Sequence, residues 1–364
     1  MYYLGVDGGG TKTKFIICNE LGEKISSIDK TTSHYLQIGI DNLTSFIRDG
    51  INEVCLKANI TKDKINNAFL GIPGYDDIKK DTPLINKAIE KAMGDIKYSI
   101  GNDGINSLAG SLAGEDGINI VAGTGSIAFG HNSDNNLTLS CGGWHHGIGS
   151  DEGSGYWFAI QLLKEFSRQS DGRDDKTILY DYVREKLNLN DDSEMLELVI
   201  NNWKLDRTKV ASLSKFVDEL YKLNDPYAIK IVENASQELA DTVNGLYKRL
   251  GFENKIKASY SGGMFKMGDK LIKPFKEKLL PNKIELVSPI LKPEDGSIVL
   301  ALKNDGVCIT KEIVDNLSKW KIIKTLIDNV LIKYLIVCVY KTTLLSLIIC
   351  HSFKSFPSIY KSSY

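Results

Sequence analysis

Three glycine-rich turns constrain this sequence most, because each directly follows a short apolar strand. They lie at residues 7–13, 123–126 and 262–263. Glycine lets the backbone approach a ligand closely and aim N–H groups at anionic oxygens. The alternative is that each glycine-rich segment only forms a tight turn and binds nothing, since such turns commonly separate helices and strands. Three of them, each after a buried-looking strand, favour phosphate binding.

The first turn matches neither of two familiar nucleotide motifs. Gly5 and Gly10 have the spacing of a Walker A loop, but Thr11 rather than lysine follows Gly10. A dinucleotide fingerprint is excluded as well, since a second strand follows the turn where a helix should begin. The turn therefore predicts a phosphate site of another kind.

A strand, a glycine turn and a returning strand open the chain and recur after residue 117, which predicts two similar α/β lobes. Strands are expected at 2–6, 11–18, 68–72, 98–101, 117–122, 127–130, 256–260 and 284–287, with another short strand after the turn at 21–23. Helices are expected at 43–58, 83–93, 105–112, 156–166, 176–187, 210–223, 228–250 and 296–302, with one more ending at 279. We place an N-terminal lobe at 1–116 and a C-terminal lobe with a helical insertion at 117–316. No low-complexity linker separates them, so a hinged pair around a cleft is expected.

Charge sets the end of the chain apart. The net charge of the 364 residues is −1, which gives no basic field for nucleic acid. Residues 1–316 carry 38 basic and 45 acidic groups, whereas residues 317–364 carry seven lysines and one aspartate and no Gly, Ala or Glu. Lysines interrupt this apolar tail too often for a membrane-spanning helix. We expect no membrane partner and no role for the tail in the core.

The cysteines and the first residues indicate a cytoplasmic protein. The six cysteines form no CxxC pair and no zinc-site spacing, and scattered single cysteines fit a reducing compartment. The N-terminus lacks the basic region of a signal peptide, and Asp7 breaks its apolar run.

Taken in order, the motifs resemble those of the sugar kinase/actin/heat-shock-chaperone ATPase superfamily. LGVDGGGTKT at 4–13 resembles its first phosphate motif, IVAGTGS at 120–126 its second and YSGGMF at 260–265 its adenosine motif. CGGW at 141–144, followed by DEGSGYW at 151–157, is similar to the N-acetylglucosamine kinase family. The resemblance covers residues 2–310. It implies an α/β fold of two ribonuclease-H-like (actin-like ATPase) lobes around a nucleotide and sugar cleft.

The resemblance also implies ATP and Mg²⁺ as cofactors. Asp7, at the end of the first strand, suits a Mg²⁺ ligand acting through water, because Mg²⁺ keeps several of its waters. The expected nucleotide-binding residues are Asp7, Gly9, Gly10, Thr11, Lys12, Thr13, Thr124, Gly125, Ser126, Gly262 and Gly263.

Asp103 is the candidate catalytic base. It follows a strand at the edge where open α/β sheets present ligand-facing groups. Its place also matches the family's catalytic aspartate, which stands in an Asn-Asp pair after the last strand of the first lobe. The alternative for Asn102 and Asp103 is a turn that caps the next helix, and an aspartate can do both.

Sugar binding is assigned to residues from both lobes. They are His34, Asn102, Asp103, Gly143, Trp144, His145, Asp151 and Glu152. Asp151 is expected to bond sugar hydroxyls, with Trp144 and His145 lining the wall of the cleft. The alternatives are a core position for Trp144 and a helix-capping role for the acidic pair. His34 stands where relatives carry an Asn, and Ser150 looks inserted into the loop.

The resemblance implies an ATP-dependent kinase that phosphorylates the 6-hydroxyl of an amino sugar. The expected substrate is N-acetylglucosamine or a near relative such as glucosamine or N-acetylmuramate, and a homodimer is the assembly often found in the family. One alternative is an ATP-driven activator of a dehydratase or reductase, whose iron–sulfur cluster is held by cysteines at a dimer interface. Cys141 is the one cysteine that favours it. The other alternative is a nucleotide-binding regulator without turnover.

Overall fold

The first sheet combines an antiparallel meander with two parallel strands. The computed structural model describes residues 1–319. The strands are β1 (Tyr2–Gly8), β2 (Thr13–Asn19), β3 (Lys24–Lys30), β4 (Ile65–Ile72) and β5 (Tyr98–Asn102). Their spatial order is β3-β2-β1-β4-β5, with β4 parallel to β1 and β5 parallel to β4. The carboxyl ends of these three parallel strands therefore meet at one edge.

The second sheet repeats this topology. Its strands are β6 (Gly117–Ala122), β7 (Ser126–Asn132), β8 (Leu137–Gly142), β9 (Ile256–Ser261) and β10 (Ile284–Leu286). They lie in the order β10-β9-β6-β7-β8, with β9 parallel to β6 and β10 parallel to β9. The predicted α/β fold of two ribonuclease-H-like lobes is confirmed by this duplication.

Helices cover the first sheet on both faces because its inner strands alternate between two apolar sets. The helices of the first lobe are α1 (Tyr35–Ile38), α2 (Ile40–Ala58), α3 (Thr82–Met93) and α4 (Asp103–Ser111). Leu4 and Val6 of β1 pack in one buried cluster with α2 and α3, whereas Tyr3 belongs to a second cluster. Because both faces of the sheet are buried, a ligand can reach it only at the ends of its strands.

The helical insertion forms most of the largest core cluster. Its elements are α5 (Gly155–Ser170), α6 (Ile178–Leu187), α7 (Glu194–Leu196), a π-helix at Glu197–Asn202, α8 (Arg207–Ala211), α9 (Ser214–Lys222) and α10 (Pro226–Arg249). Beyond β9 come α11 (Asp269–Lys278) and α12 (Pro293–Asn304). Short 3₁₀ turns occur at Lys62–Lys64, His146–Ile148 and Gly263–Met267.

One strand was not predicted, and two predicted helices differ from the structure. Strand β8 has no predicted counterpart, because it is an edge strand with no buried residue and a weak apolar pattern. The helix expected at 210–223 is divided into α8 and α9. The helix ending near 279 begins only at Asp269, after the 3₁₀ turn.

The end of the described chain returns to the first sheet. Helix α12 contributes Ile298 and Leu302 to the cluster that contains Tyr3 of β1. Residues 311–319 are helical, and Leu317 is fully buried in the same cluster. Our prediction assigns 117–316 to the C-terminal lobe and Leu317 to the tail. The apolar pattern of a helix does not reveal which sheet the helix packs against. The tail beyond 319 lies outside the described residues; within 1–319, no helix is both long and apolar enough to cross a bilayer.

A buried ion pair ties β3 to the first turn of α12. The side chains of Lys24 and Asp295 are 6% and 4% exposed. Burial raises the pKa of Asp295, and Lys24 opposes that shift.

We expect Lys24→Met to lower the free energy of unfolding at pH 7 by about 3–5 kcal/mol, because it leaves a buried carboxylate without a partner. Urea denaturation measures the loss. The double variant K24M/D295L should recover most of it, since it removes both charges. A double variant no more stable than K24M would contradict this account.

Candidate nucleotide and sugar site

The first glycine turn is held from behind by α1 and by the residues just before it. Thr32 Oγ1 donates to the carbonyl oxygen of Gly9 at 2.8 Å, and Gln37 Nε2 donates to that of Gly10 at 3.1 Å. A Cβ on Gly10 would meet nothing within 4 Å, so the turn has open space on that side. The turn is thus fixed in position while its outer side remains accessible.

The polar residues predicted for this turn have separate environments. Lys12 is 53% exposed and its Nζ lies 3.0 Å from Asp29 Oδ2, whereas Thr13 is fully buried with its hydroxyl oxygen lacking a hydrogen-bond partner. Thr11 is exposed. Lys14, which the sequence analysis does not single out, is more buried than Lys12 and lies 3.4 Å from Glu294 Oε1.

Asp7 ends β1 in a poorly solvated, acidic environment. Burial raises the pKa of Asp7 to about 7, helped by repulsion from Glu294 and Asp103. A hydrogen bond from Asn106 and the charge of Lys14 act in the opposite direction. A carboxylate held in this way is stabilised by a nearby cation, so Asp7 fits the Mg²⁺ assignment.

Asp103 begins α4 at the same edge of the sheet. Asn102 is the helix cap, because its Oδ1 accepts from the backbone N–H of Gly104 at 3.0 Å. The capping role that the sequence leaves open is therefore filled by the neighbour. Burial raises the pKa of Asp103 to about 6, and repulsion from Asp77 adds to the shift. A carboxyl group with this pKa can accept a proton near neutral pH.

Asp77 lies among the predicted site residues, and the sequence analysis does not single it out. Asn102 Nδ2 donates to the carbonyl oxygen of Tyr75 at 3.1 Å and to Asp77 Oδ1 at 3.2 Å. His34 also faces this carboxylate: burial lowers the pKa of His34, and the charge of Asp77 opposes that change. The structure thus brings His34, Asn102 and Asp103 together around Asp77. Its position just after β4, at the edge where parallel strands end, is the signal that identifies it.

The second glycine turn, at residues 123–126, is backed by the start of α5. The backbone N–H of Gly155 donates to the carbonyl oxygen of Gly123 at 2.8 Å, and that of Tyr156 to Thr124 at 3.2 Å. Within the turn, Gly123 N donates to the Gly125 oxygen at 2.8 Å. These bonds fix the turn without using its side chains.

Asp151 is bound behind this turn. Its side chain is 3% exposed, and its Oδ1 accepts from the backbone N–H of Ser126 at 3.3 Å. Its Oδ2 accepts from Arg207 Nη2 at 2.5 Å. In the structure both carboxylate oxygens therefore have protein donors, whereas the sequence assigns Asp151 to sugar hydroxyls. Arg207, from the helical insertion, was not identified from the sequence because nothing local links it to residue 151.

The loop at 143–150 stands on the second lobe. Trp144 is 76% exposed, which excludes a core position for it. Gly143 and His145 are also exposed, and the His145 ring lies 4.0 Å from that of His146. Glu152 Oε2, just beyond the loop, accepts from Ser150 Oγ at 3.1 Å. Within residues 1–319, no hydrogen bond, ion pair or ring contact joins this group to His34, Asn102 or Asp103.

The third glycine turn lies next to the second. Gly262 follows β9, which is parallel to β6, and a Cβ on Gly262 would lie 2.3 Å from the carbonyl oxygen of Ala122. A Cβ on Gly263 would meet nothing within 4 Å. The turns at 123–126 and 262–263 are therefore at one edge of the second sheet.

The described residues contain no protein-built metal cage. Among residues 1–319, no group of three or more His, Cys, Asp or Glu side chains is placed to hold a metal ion. Mg²⁺ bound with nucleotide needs only one or two carboxylates, since water and phosphate supply the other ligands. The donor set around Asp7 is compatible with that kind of binding.

Two lobes of one topology, with glycine turns at the carboxyl ends of their strands, define an actin-like ATPase fold. The chain belongs to the BadF/BadG/BcrA/BcrD ATPase family, whose sequence profile matches residues 4–301. Membership in this family implies the use of ATP.

Three relatives share nearly their whole length with this chain. It is 30% identical to the N-acetyl-D-glucosamine kinase of Dictyostelium discoideum over 315 residues, 83% of this chain and 98% of that protein. It is 27% identical over 311 residues to the N-acetylmuramic acid/N-acetylglucosamine kinase of Clostridium acetobutylicum, covering 82% and 98%. Its fold is similar to the crystal structure of a candidate N-acetylglucosamine kinase from Chromobacterium violaceum, with a TM-score of 0.64, 22% identity and coverage of 82% and 98%.

Proposed function

We propose that this protein is an ATP-dependent kinase that phosphorylates the 6-hydroxyl of an amino sugar, N-acetylglucosamine or a near relative such as glucosamine or N-acetylmuramate. The observation that carries the proposal is the carboxyl group of Asp103, whose raised pKa of about 6 suits a base. It stands in the same site as Asp7 and the first glycine turn. The names of the two similar curated kinases support an amino sugar as the substrate class.

The reaction proposed for Asp103 is a proton transfer coupled to phosphoryl transfer. Its carboxylate accepts the proton of the sugar hydroxyl as that oxygen bonds to the γ-phosphorus and the bond to the bridging oxygen of ADP breaks. Mg²⁺, bound through water to Asp7, would neutralise phosphate charge. Backbone N–H groups of the three glycine turns bind the phosphates and the adenosine side, and His34 and Asn102 orient the sugar.

The second lobe completes the proposed site when the lobes close. The exposed loop with Trp144 and His145 offers an aromatic face and a polar ring for the sugar, which closure would bring toward Asp103. Asp151 then acts by fixing the second glycine turn, and its carboxylate reaches the sugar only if the Arg207 pair opens. Closure also excludes water, which limits wasteful ATP hydrolysis.

The test uses the full-length chain with Mg-ATP and a panel of amino sugars. We expect ADP release that depends on sugar, with a sugar 6-phosphate identified by NMR. The matched control is 6-deoxy-N-acetylglucosamine, which lacks the acceptor hydroxyl and should give no phosphorylated product. ADP release at the same rate with and without sugar would contradict the proposal, and iron in the purified protein would favour the activator alternative.

We also propose a cytoplasmic homodimer. The unpaired state of Cys18, Cys55, Cys141 and Cys308 in the described chain supports a reducing compartment. Light scattering of the purified protein measures the assembly, and a monomeric mass at working concentration would contradict the dimer.

A further inference from the structure

Asn106 joins the helix of the proposed base to the strand of the proposed magnesium carboxylate. It lies one helical turn after Asp103 on α4, and its side chain is fully buried. Its Nδ2 donates to Asp7 Oδ1 at 2.8 Å and to the carbonyl oxygen of Val6 at 3.1 Å. One amide group thus holds both the backbone and the side chain at the end of β1.

The surrounding chain leaves room for this amide at glycine positions. A Cβ on Gly71 of β4 would lie 2.1 Å from Asn106 Nδ2, and a Cβ on Gly296 of α12 would lie 2.0 Å from the carbonyl oxygen of Asn106. Any larger residue at either position would push Asn106 away from Asp7. The contact is therefore enclosed by three elements and has little freedom to move.

The bond occupies one oxygen of the Asp7 carboxylate. Within residues 1–319, Asp7 Oδ1 accepts from Asn106, and no protein hydrogen bond reaches Oδ2. A carboxylate fixed through one oxygen keeps the other available in a defined orientation. This is the arrangement required of a group that binds a hydrated cation through water.

We propose that Asn106 is a positioning residue that orients the Asp7 carboxylate toward the hydrated Mg²⁺ of the bound nucleotide. This inference rests on the proposed function, because it takes Asp7 as the magnesium carboxylate. Since Asp103 and Asn106 share one turn of α4, the same helix then sets the base and the metal-binding carboxylate in a fixed relation. A shift of α4 would move both together.

The test measures ADP affinity by calorimetry, with Mg²⁺ and with EDTA. Asn106→Leu removes both donors and nearly keeps the side-chain volume. We expect it to weaken Mg-ADP binding by about tenfold, the effect of one hydrogen bond to a charged group, and to change Mg-free ADP binding by less than about twofold. Ser111→Ala removes a buried hydroxyl from the same helix whose bond is local, and it should change neither affinity.

A double-mutant cycle separates positioning from a general structural role. If Asn106 acts through Asp7, then adding N106L to Asp7→Asn should cause little further loss of Mg-ADP affinity. Fully additive losses, or equal losses with and without Mg²⁺, would overturn the inference. Should N106L fail to fold, Asn106→Ala removes the same donors without placing an alkyl group beside the Val6 carbonyl.

The wild-type protein separates this inference from the proposed function. ADP affinity that does not depend on Mg²⁺ in the wild type would remove Asp7 from its proposed role, and the inference would fail with it. A Mg²⁺-dependent wild type whose dependence persists in N106L and N106A would overturn the inference alone.

Discussion

Asp103→Asn is expected to lower the turnover number of the sugar-dependent reaction by about 10²–10⁴-fold, the usual contribution of a general base. An amide keeps the shape of the side chain and cannot accept the hydroxyl proton. The measurement is steady-state ADP release with saturating sugar and Mg-ATP. Nucleotide affinity should change little, because the substitution leaves the glycine turns intact.

The same substitution should make the protein more stable. Burial raises the pKa of Asp103 from 3.8 to about 6, so between these values the folded chain binds more protons than the unfolded chain. Stability therefore falls as the pH rises through this window, and the penalty is complete above about pH 6. We expect D103N to raise the free energy of unfolding on the order of 1–2 kcal/mol at pH 7.5, and by less at pH 5.

The pH dependence of the wild type follows from the same carboxyl group. Turnover should fall as the pH drops through about 6, because Asp103 takes up the proton that inactivates it as a base. Asp77→Asn removes the repulsion between the carboxylates of Asp77 and Asp103. It should therefore move the acidic limb of the pH profile of turnover to lower pH. Asp63→Asn, at an exposed position outside the site, is the matched control and should change neither turnover nor its pH profile. A D103N protein with more than about a tenth of wild-type turnover would exclude Asp103 as the base.

The fold and the backbone of the candidate site were predictable because their signals are local. Apolar strands and glycine turns predict both lobes, and Asp7 lies at the end of β1 whereas Asp103 directly follows β5. Fewer than ten neighbouring residues are enough to predict each turn, each strand end and each helix start. These local patterns locate both aspartates, because open α/β sheets bind ligands at the carboxyl ends of their strands.

The groups that tune the site were not predictable because they come from distant parts of the chain. Asn106 is 99 residues from Asp7, and Arg207 is 56 residues from Asp151. A buried amide and an arginine in a helical insertion have no local pattern that distinguishes them from ordinary core or surface positions. The sequence does not show which sheet α12 packs against, since the apolar residues of this helix fit either lobe.

Substitutions at two adjacent glycines of the third turn can test folding and ligand binding separately. Gly262 has φ of +103°, and its missing Cβ would lie 2.3 Å from the backbone oxygen of Ala122. Neither β6 nor β9 can move away without breaking the ladder between them. We expect Gly262→Val to lower the free energy of unfolding by about 4 kcal/mol, because backbone strain and steric overlap add.

The control for that loss is the next residue. Gly263 has open space where a Cβ would be, so Gly263→Val should leave the urea denaturation midpoint close to that of the wild type. If the adenosine lies over this turn, as we propose, G263V will weaken ADP binding measured by calorimetry, since its side chain enters that space. A stable G262V would contradict the close contact between β9 and β6. A stable G263V with unchanged ADP affinity would place the adenosine elsewhere. Because the first outcome concerns the fold and the second concerns the ligand, the two substitutions test separate statements about one turn.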